Sequence, residues 1–240
     1  MMRILPSQSA PARLGRAPAR RGGGARLLLL IAMVALAGCA GAPSLRRTVT
    51  PAYRPDNIFK LADVLAKDLR RVAVLPVSSG ANGSDLADGR EAVEPVLLAE
   101  LIKTKRFEVI PVAPQFLRSR MGRVHWSAAE TLPAEFLPAL RDTYGCDAVL
   151  FVELTDYRAY APVAIGWRLK LVDARTGFAL WAGDELFDSR KAEVLAAARR
   201  FQAAAPEISG ESSVDWTVSH SPRRLAQYSA AQLFDTLPLR

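Results

Sequence analysis

From residue 57 onwards the polar and apolar positions alternate between two periods, near 3.6 and 2, and the switches mark out the elements. Ile58, Leu61, Leu65 and Leu69 recur at helical spacing, which predicts a helix over residues 57–69. RVAVLPV (71–77) is β-branched and apolar and predicts the first strand, followed by the loop SSGANGSD. Val93, Val96, Leu97, Leu101 and Ile102 form a helical stripe across residues 89–104, with Glu91 and Glu94 in the first turn and Pro95 at the start of the helix proper. FEVIPV (107–112) predicts a second strand. The interval to Ala129 reads as loop or short helix, with a capping-box pattern at Ser127 and Glu130. A helix over 133–144, restarted or kinked at Pro138, stops at Gly145.

CDAVLFVELTDY (146–157) is a continuous apolar run, the signature of a strand covered on both faces. VAIGWRLKLVD (163–173) and FALWAGDELFD (178–188) alternate instead. The four residues Ala174 to Gly177 suit a tight turn between them, with Gly177 free to take positive φ. Trp167, Leu169 and Leu180 are expected to anchor this hairpin to the core. An amphipathic helix (192–205), a polar stretch, a short edge strand VDWTV (214–218) and a last helix (223–237) with Leu225, Tyr228, Leu233 and Leu237 inward complete the chain. The order β-α-β-α-β followed by an antiparallel meander predicts an α/β (α+β) fold. It is a single domain holding a small mixed sheet of about five strands flanked by helices.

The first 38 residues change the meaning of the composition. Six arginines and no acid precede LLLLIAMVALA (27–37), too short to span a bilayer but right for the core of a secretory signal. It ends in Leu36-Ala37-Gly38-Cys39, which resembles the lipobox of bacterial lipoproteins. That resemblance implies cleavage after Gly38 and acylation of Cys39 as the mature first residue. Ala40, where an aspartate would favour retention at the inner membrane, leans towards the outer membrane. Without residues 1–38 the chain has 202 residues, 26 basic against 24 acidic, so the net charge falls from +8 to +2. A nucleic-acid partner is therefore not expected. CAGAPSLRRTVTPAYR (39–54) reads as a tether of roughly 20–25 Å typical span. The expected division is a signal over 1–38, a tether over 39–56 and a domain over 57–240.

Candidate chemistry is sparse. Ser79, Gly80, Asn82, Gly83 and Asp85 form a loop where a doubly wound fold would bind a small ligand, and with Asp156 they define a ligand-binding or hydrolytic alternative. No phosphate-loop or dinucleotide motif accompanies them. His125 and His220 lack ligand-spaced companions, so no metal is expected, and His125-Trp126 reads as surface loop. Cys146 reads as a small buried residue without a disulfide partner. Asp173, Asp184, Glu185 and Asp188 crowd the hairpin, but the pleat spreads them over both faces and both ends, so no catalytic residue is assigned.

The chain also resembles a family. RVAVLPV, the helix leading to RFEVIPV, Gly145 to Leu150 entering a strand, and the hairpin from Leu171 to Trp181 are similar to the periplasmic domain of lipoproteins related to the curli-secretion channel CsgG, the penicillin-binding-protein activator LpoB and uncharacterised GNA-type lipoproteins. The resemblance covers roughly residues 57–190. It implies an α/β domain without cofactor that binds or assembles proteins. Because the hairpin mainly supplies core, the late helices and residues 206–221 are the expected docking surfaces. One alternative is a subunit of an oligomeric outer-membrane secretion complex, with a homo-oligomer as its consequence. The link at 158–162 is too short for the membrane hairpins of the curli channel.

Overall fold

The computed structural model describes residues 53–79, 84–204 and 218–240, within the compact unit Val49–Arg240. At its centre β2 (Arg71–Val74) lies parallel to β4 (Glu108–Pro111) on one side and to β5 (Ala148–Arg158) on the other. Two helical crossovers make this possible: α1 (Ser84–Lys103) joins β2 to β4, and α2 (Pro114–Met121) with α3 (Phe136–Tyr144) joins β4 to β5. From β5 the sheet turns antiparallel through β6 (Ala164–Asp173) and β7 (Ala179–Asp188). With the edge strand β1 (Ile58–Lys60), the strand order is β1-β7-β6-β5-β2-β4, and the two-residue β3 (Ser78–Ser79) adds to β5. The sheet therefore has seven strands, two more than the hydrophobic pattern announces, because β1 and β3 are too short to show a period.

Alternation along the central strands sorts two cores. Val72, Val74, Leu150, Val152 and Leu154 join Trp167, Leu169, Leu171 and Trp181 under α1, α4 (Ala192–Ala204) and α5 (Pro222–Asp235). Ala73, Leu75, Val149 and Phe151 face the other way, under Leu117 of α2, Phe136 and Leu140 of α3, and Trp126. Gly177 has φ 74° at the hairpin turn, and Gly145, at φ 59°, ends α3 with its N–H on Arg141. These are the stops that the sequence marks.

Several expectations give way. Residues 57–69 are not a helix: Ile58–Lys60 forms edge strand β1, antiparallel to β7, and Val64 bridges Leu239. In the strand Ile58 fills the space over Gly183, where an added Cβ would stand 3.0 Å from its Cδ1, and Leu65 and Leu69 are buried without a helix. Helix α1 begins five residues earlier than its stripe suggests and runs through Pro95, on whose exposed side the carbonyl left without a donor can meet water. Gly89 inside it admits the Tyr157 ring, 2.6 Å from where its Cβ would lie. Ile102 is exposed rather than part of the buried stripe. Ser127 and Glu130 form their local bond, N–H to carboxylate at 2.6 Å, but it closes a turn and starts no helix. Trp126 is buried, its ring 4.7 Å from Phe136 and under the Arg123 guanidinium, so this stretch caps the second core. In the hairpin a bulge between Leu171 and Val172 turns Trp181 inward, and Trp181, not Leu180, is the fully buried anchor. VDWTV lies outside the described residues except for Val218, which is buried in a helical turn.

The two faces of the sheet are not covered alike. The α1/α4/α5 side covers it from β2 to β7. On the other side α2, α3 and the 123–130 segment cover β5 and reach only the near part of β6, at Val172 and Lys170, so among the described residues the pleats carrying Arg168, Asp184, Leu186 and Phe59 are left partly open. Leu169→Ala should accordingly cost about 2–5 kcal/mol. Leu186→Ala, on the open face, should stay within about 0.5 kcal/mol of the parent in urea unfolding.

Candidate functional site

The four hairpin carboxylates have separate duties. Asp173 Oδ1 accepts the N–H groups of Arg175 and Thr176, both at 2.8 Å, and so closes the turn, as its place before Gly177 suggests. The Arg175 side chain points elsewhere, to Asp68 at 2.6 Å. Asp184 takes the Nε of Arg168 at 2.7 Å on the open face. Glu185, on the opposite face, accepts the N–H of Asp56 at 3.2 Å and, after burial itself, is the main cause that holds the Tyr53 phenol far above its ordinary value. Asp188, 3 % exposed, binds the Arg190 backbone at 2.9 Å and its guanidinium at 2.8 Å, with Arg158 at 3.7 Å. No two of them share a cleft, so no acid/base pair exists in this hairpin.

The Arg190 hydrogen bonds hold the Asp188 carboxyl below its ordinary range. A depressed carboxylate stabilises the fold above its unfolded-state value, near pH 4, and loses that contribution as the pH falls through its folded value. Asp188→Asn should therefore be less stable than the parent at neutral pH, and the difference should shrink below about pH 4 in thermal melts.

Of the candidate ligand loop, Gly80, Asn82 and Gly83 lie outside the described residues, as does the Asp85 side chain. Ser79 sits in β3 opposite Leu154, and Ser78 Oγ bonds the Val152 carbonyl at 3.0 Å. Asp156 follows a register shift in β5, two residues beyond Leu154, the partner of Ser79, and lies near Arg190. Two further titratable groups meet the backbone of Val77 just ahead of this loop. Burial raises Glu94, and burial with the nearby Arg90 lowers His125. Cys146 is buried, its thiol pushed up by burial, and unsuited to nucleophilic work. Among the described residues no group of three or more His, Cys, Asp or Glu could hold a metal ion, and no helix is long and apolar enough to cross a membrane.

A mainly apolar concavity lies on the open face. Arg168 links two strands at once, bonding Asp184 of β7 and reaching Glu153 of β5 at 3.5 Å, while Ser127 Oγ donates to Glu153 at 2.6 Å. Asp184 first, then Glu153, raises the Arg168 guanidinium further above its usual value. Beside this row, Phe59, Ala128, Lys170, Ala182 and Asp184 line a groove of about 210 Å³, with the Lys170 ammonium on the Ala128 carbonyl at 3.1 Å. Its walls are mainly apolar and its charges largely paired, an arrangement that can hold a ligand but offers no nucleophile or free base. The sequence carried a signal for it: Arg168 and Lys170 alternate with Trp167, Leu169 and Leu171 in an interior strand, which needs one solvated face. Helix α5 turns Leu225, Tyr228, Leu233 and Phe234 into the core and leaves Arg223, Gln227 and Asp235 towards the outside. Glu153, 5 % exposed, depends on Arg168 for compensation. Arg168→Ala should cost about 1–3 kcal/mol, and adding Glu153→Gln should recover part of it in denaturant titrations.

No protein-family model and no curated protein sequence matches the chain. Solved structures similar to it include the PelC dodecamer from Paraburkholderia phytofirmans, at 13% identity and TM-score 0.41 over 78% of this chain and 95% of that one. A lipoprotein from Neisseria meningitidis is similar at 20% identity and TM-score 0.39, over 56% of this chain and 94% of that one. The LpoB C-terminal domain from Escherichia coli follows at 18% identity and TM-score 0.31, over 49% and 82%. The similar solved structures thus include bacterial lipoproteins, at a distance that transfers no activity or assembly to this chain.

Proposed function

We propose that the protein is a lipid-anchored lipoprotein of the outer membrane, facing the periplasm, that works as a non-enzymatic protein-binding or assembly module. One observation carries the reading: Leu36-Ala37-Gly38-Cys39 directly after an apolar run that is itself preceded by arginines alone among charged residues. An acylated Cys39 would hold the domain within a short tether of the membrane. The hairpin supports the non-enzymatic part, since its carboxylates close a turn, bind arginines or accept a backbone N–H. The docking surface in this reading is the groove over β6 and β7.

Metabolic labelling with palmitate tests the anchor: Cys39→Ser should abolish acylation and leave the precursor uncleaved, and persistent labelling would refute it. Photo-cross-linking in cells from position 170 tests the docking surface. The expected result is a discrete adduct with another envelope protein. Normal acylation without any adduct would leave the anchor standing and overturn the docking assignment.

A further inference from the structure

The two edges of the sheet are built differently. At one, β4 carries Pro111, which has no N–H, and an exposed Glu108, both familiar obstacles to strand addition. At the other, β1 holds no proline, and its one charged residue, the exposed Lys60, ends the strand. Phe59 is 49 % exposed, Leu61 60 %, and Val64 and Leu239, joined by their bridge, 58 % and 64 %, so an apolar strip runs along this edge and past its end.

The backbone of this edge has a definite register. The Asn57 carbonyl accepts from Asp184 N–H at 3.1 Å, and Leu61 N–H donates to Leu180 at 3.0 Å. Residues 57, 59 and 61 therefore bond inwards to β7, and the alternation of an antiparallel ladder turns the N–H and C=O of Ile58 and Lys60 outwards. We infer that this edge pairs with the same edge of a second copy of the chain, antiparallel about a two-fold axis through Phe59. In that register Ile58 faces the partner's Lys60 as a hydrogen-bonded pair, so the outward groups satisfy each other on both sides of the axis. Phe59 then meets the partner's Phe59 in the closer, non-hydrogen-bonded position, and both rings lie on the open face beside Ala182. Asn57 stands opposite the partner's Leu61. The two Lys60 ammonium groups are offset along the strands and do not meet. A single two-fold thus satisfies the free backbone groups and brings the two exposed rings together, as an isologous contact requires. The inference is independent of the lipid anchor.

The contact is short, so association belongs at the weak end of specific interfaces, and about 100 μM protein is the concentration to examine. The full chain in mild detergent should show a dimer by light scattering there. Phe59→Cys should cross-link to itself under mild oxidation, because the non-hydrogen-bonded Cα separation of about 4.5 Å fits a disulfide. Phe178→Cys, exposed but off this edge, should not, and the unsubstituted chain is the blank for Cys39 and Cys146. Lys60→Pro removes an outward N–H that β7 does not use, so it should keep the native circular dichroism and weaken the dimer at least tenfold. A monomer at this concentration, a dimer indifferent to Lys60→Pro, or no cross-link at position 59 would each overturn the inference. Quenching of a fluorophore at 59 by spin-labelled lipid in a monomeric chain would assign the edge to the membrane instead.

Discussion

The structure depends on the burial of β5 from both sides. Ala148 to Leu154 leaves almost nothing exposed, so a helical layer has to close over each face of the sheet at this strand. The crossovers supply those layers: α1 on one side, α2 and α3 on the other. Each fully buried Leu or Val contributes about 1.5–3 kcal/mol relative to exposure. Once the two crossovers are spent, however, the chain continues as a meander, and among the described residues α4 and α5 are the helices that follow to cover it. They lie on one face, and the open face of β6, β7 and β1 is the direct consequence.

Polar chemistry follows the same division. Inside, the Trp167 indole N–H meets Ser229 Oγ at 2.8 Å and that of Trp181 meets Thr236 at 3.1 Å, so α5 is tied to the meander by the only polar atoms of its two largest buried rings. On the open face, charges stand in pairs across strands, with Arg168 between Glu153 and Asp184. This surface combines paired charges, a shallow groove and, at its rim, the exposed Phe59. Groove and edge strand adjoin, because Phe59 belongs to both.

Much of this arrangement was legible beforehand. The parallel trio β2, β4 and β5, the hairpin with its turn at Ala174–Gly177, the role of Asp173 and the interior place of Cys146 all follow from residues close in sequence. The failures share another character. Ile58 and Leu61 suggest a helix until Gly183, 125 positions from Ile58, is seen to offer a slot beside it. Trp126 suggests a surface loop until Phe136 and the far face of β5 are brought against it. Pro95 suggests a helix start until the exposure of its side of α1 makes a missing hydrogen bond tolerable.

By itself the sequence determined the period of each element, the stops at Gly145 and Gly177, the order of parallel and antiparallel strands, and the lipobox-like end of the apolar segment. These depend on backbone sterics and on side chains within a turn or a pleat of one another. Only the tertiary structure decided which face of the meander stays open, which short segments become edge strands, and where the hairpin carboxylates find their partners. Those outcomes depend on surfaces that the chain brings together from distant positions, and no local period records them.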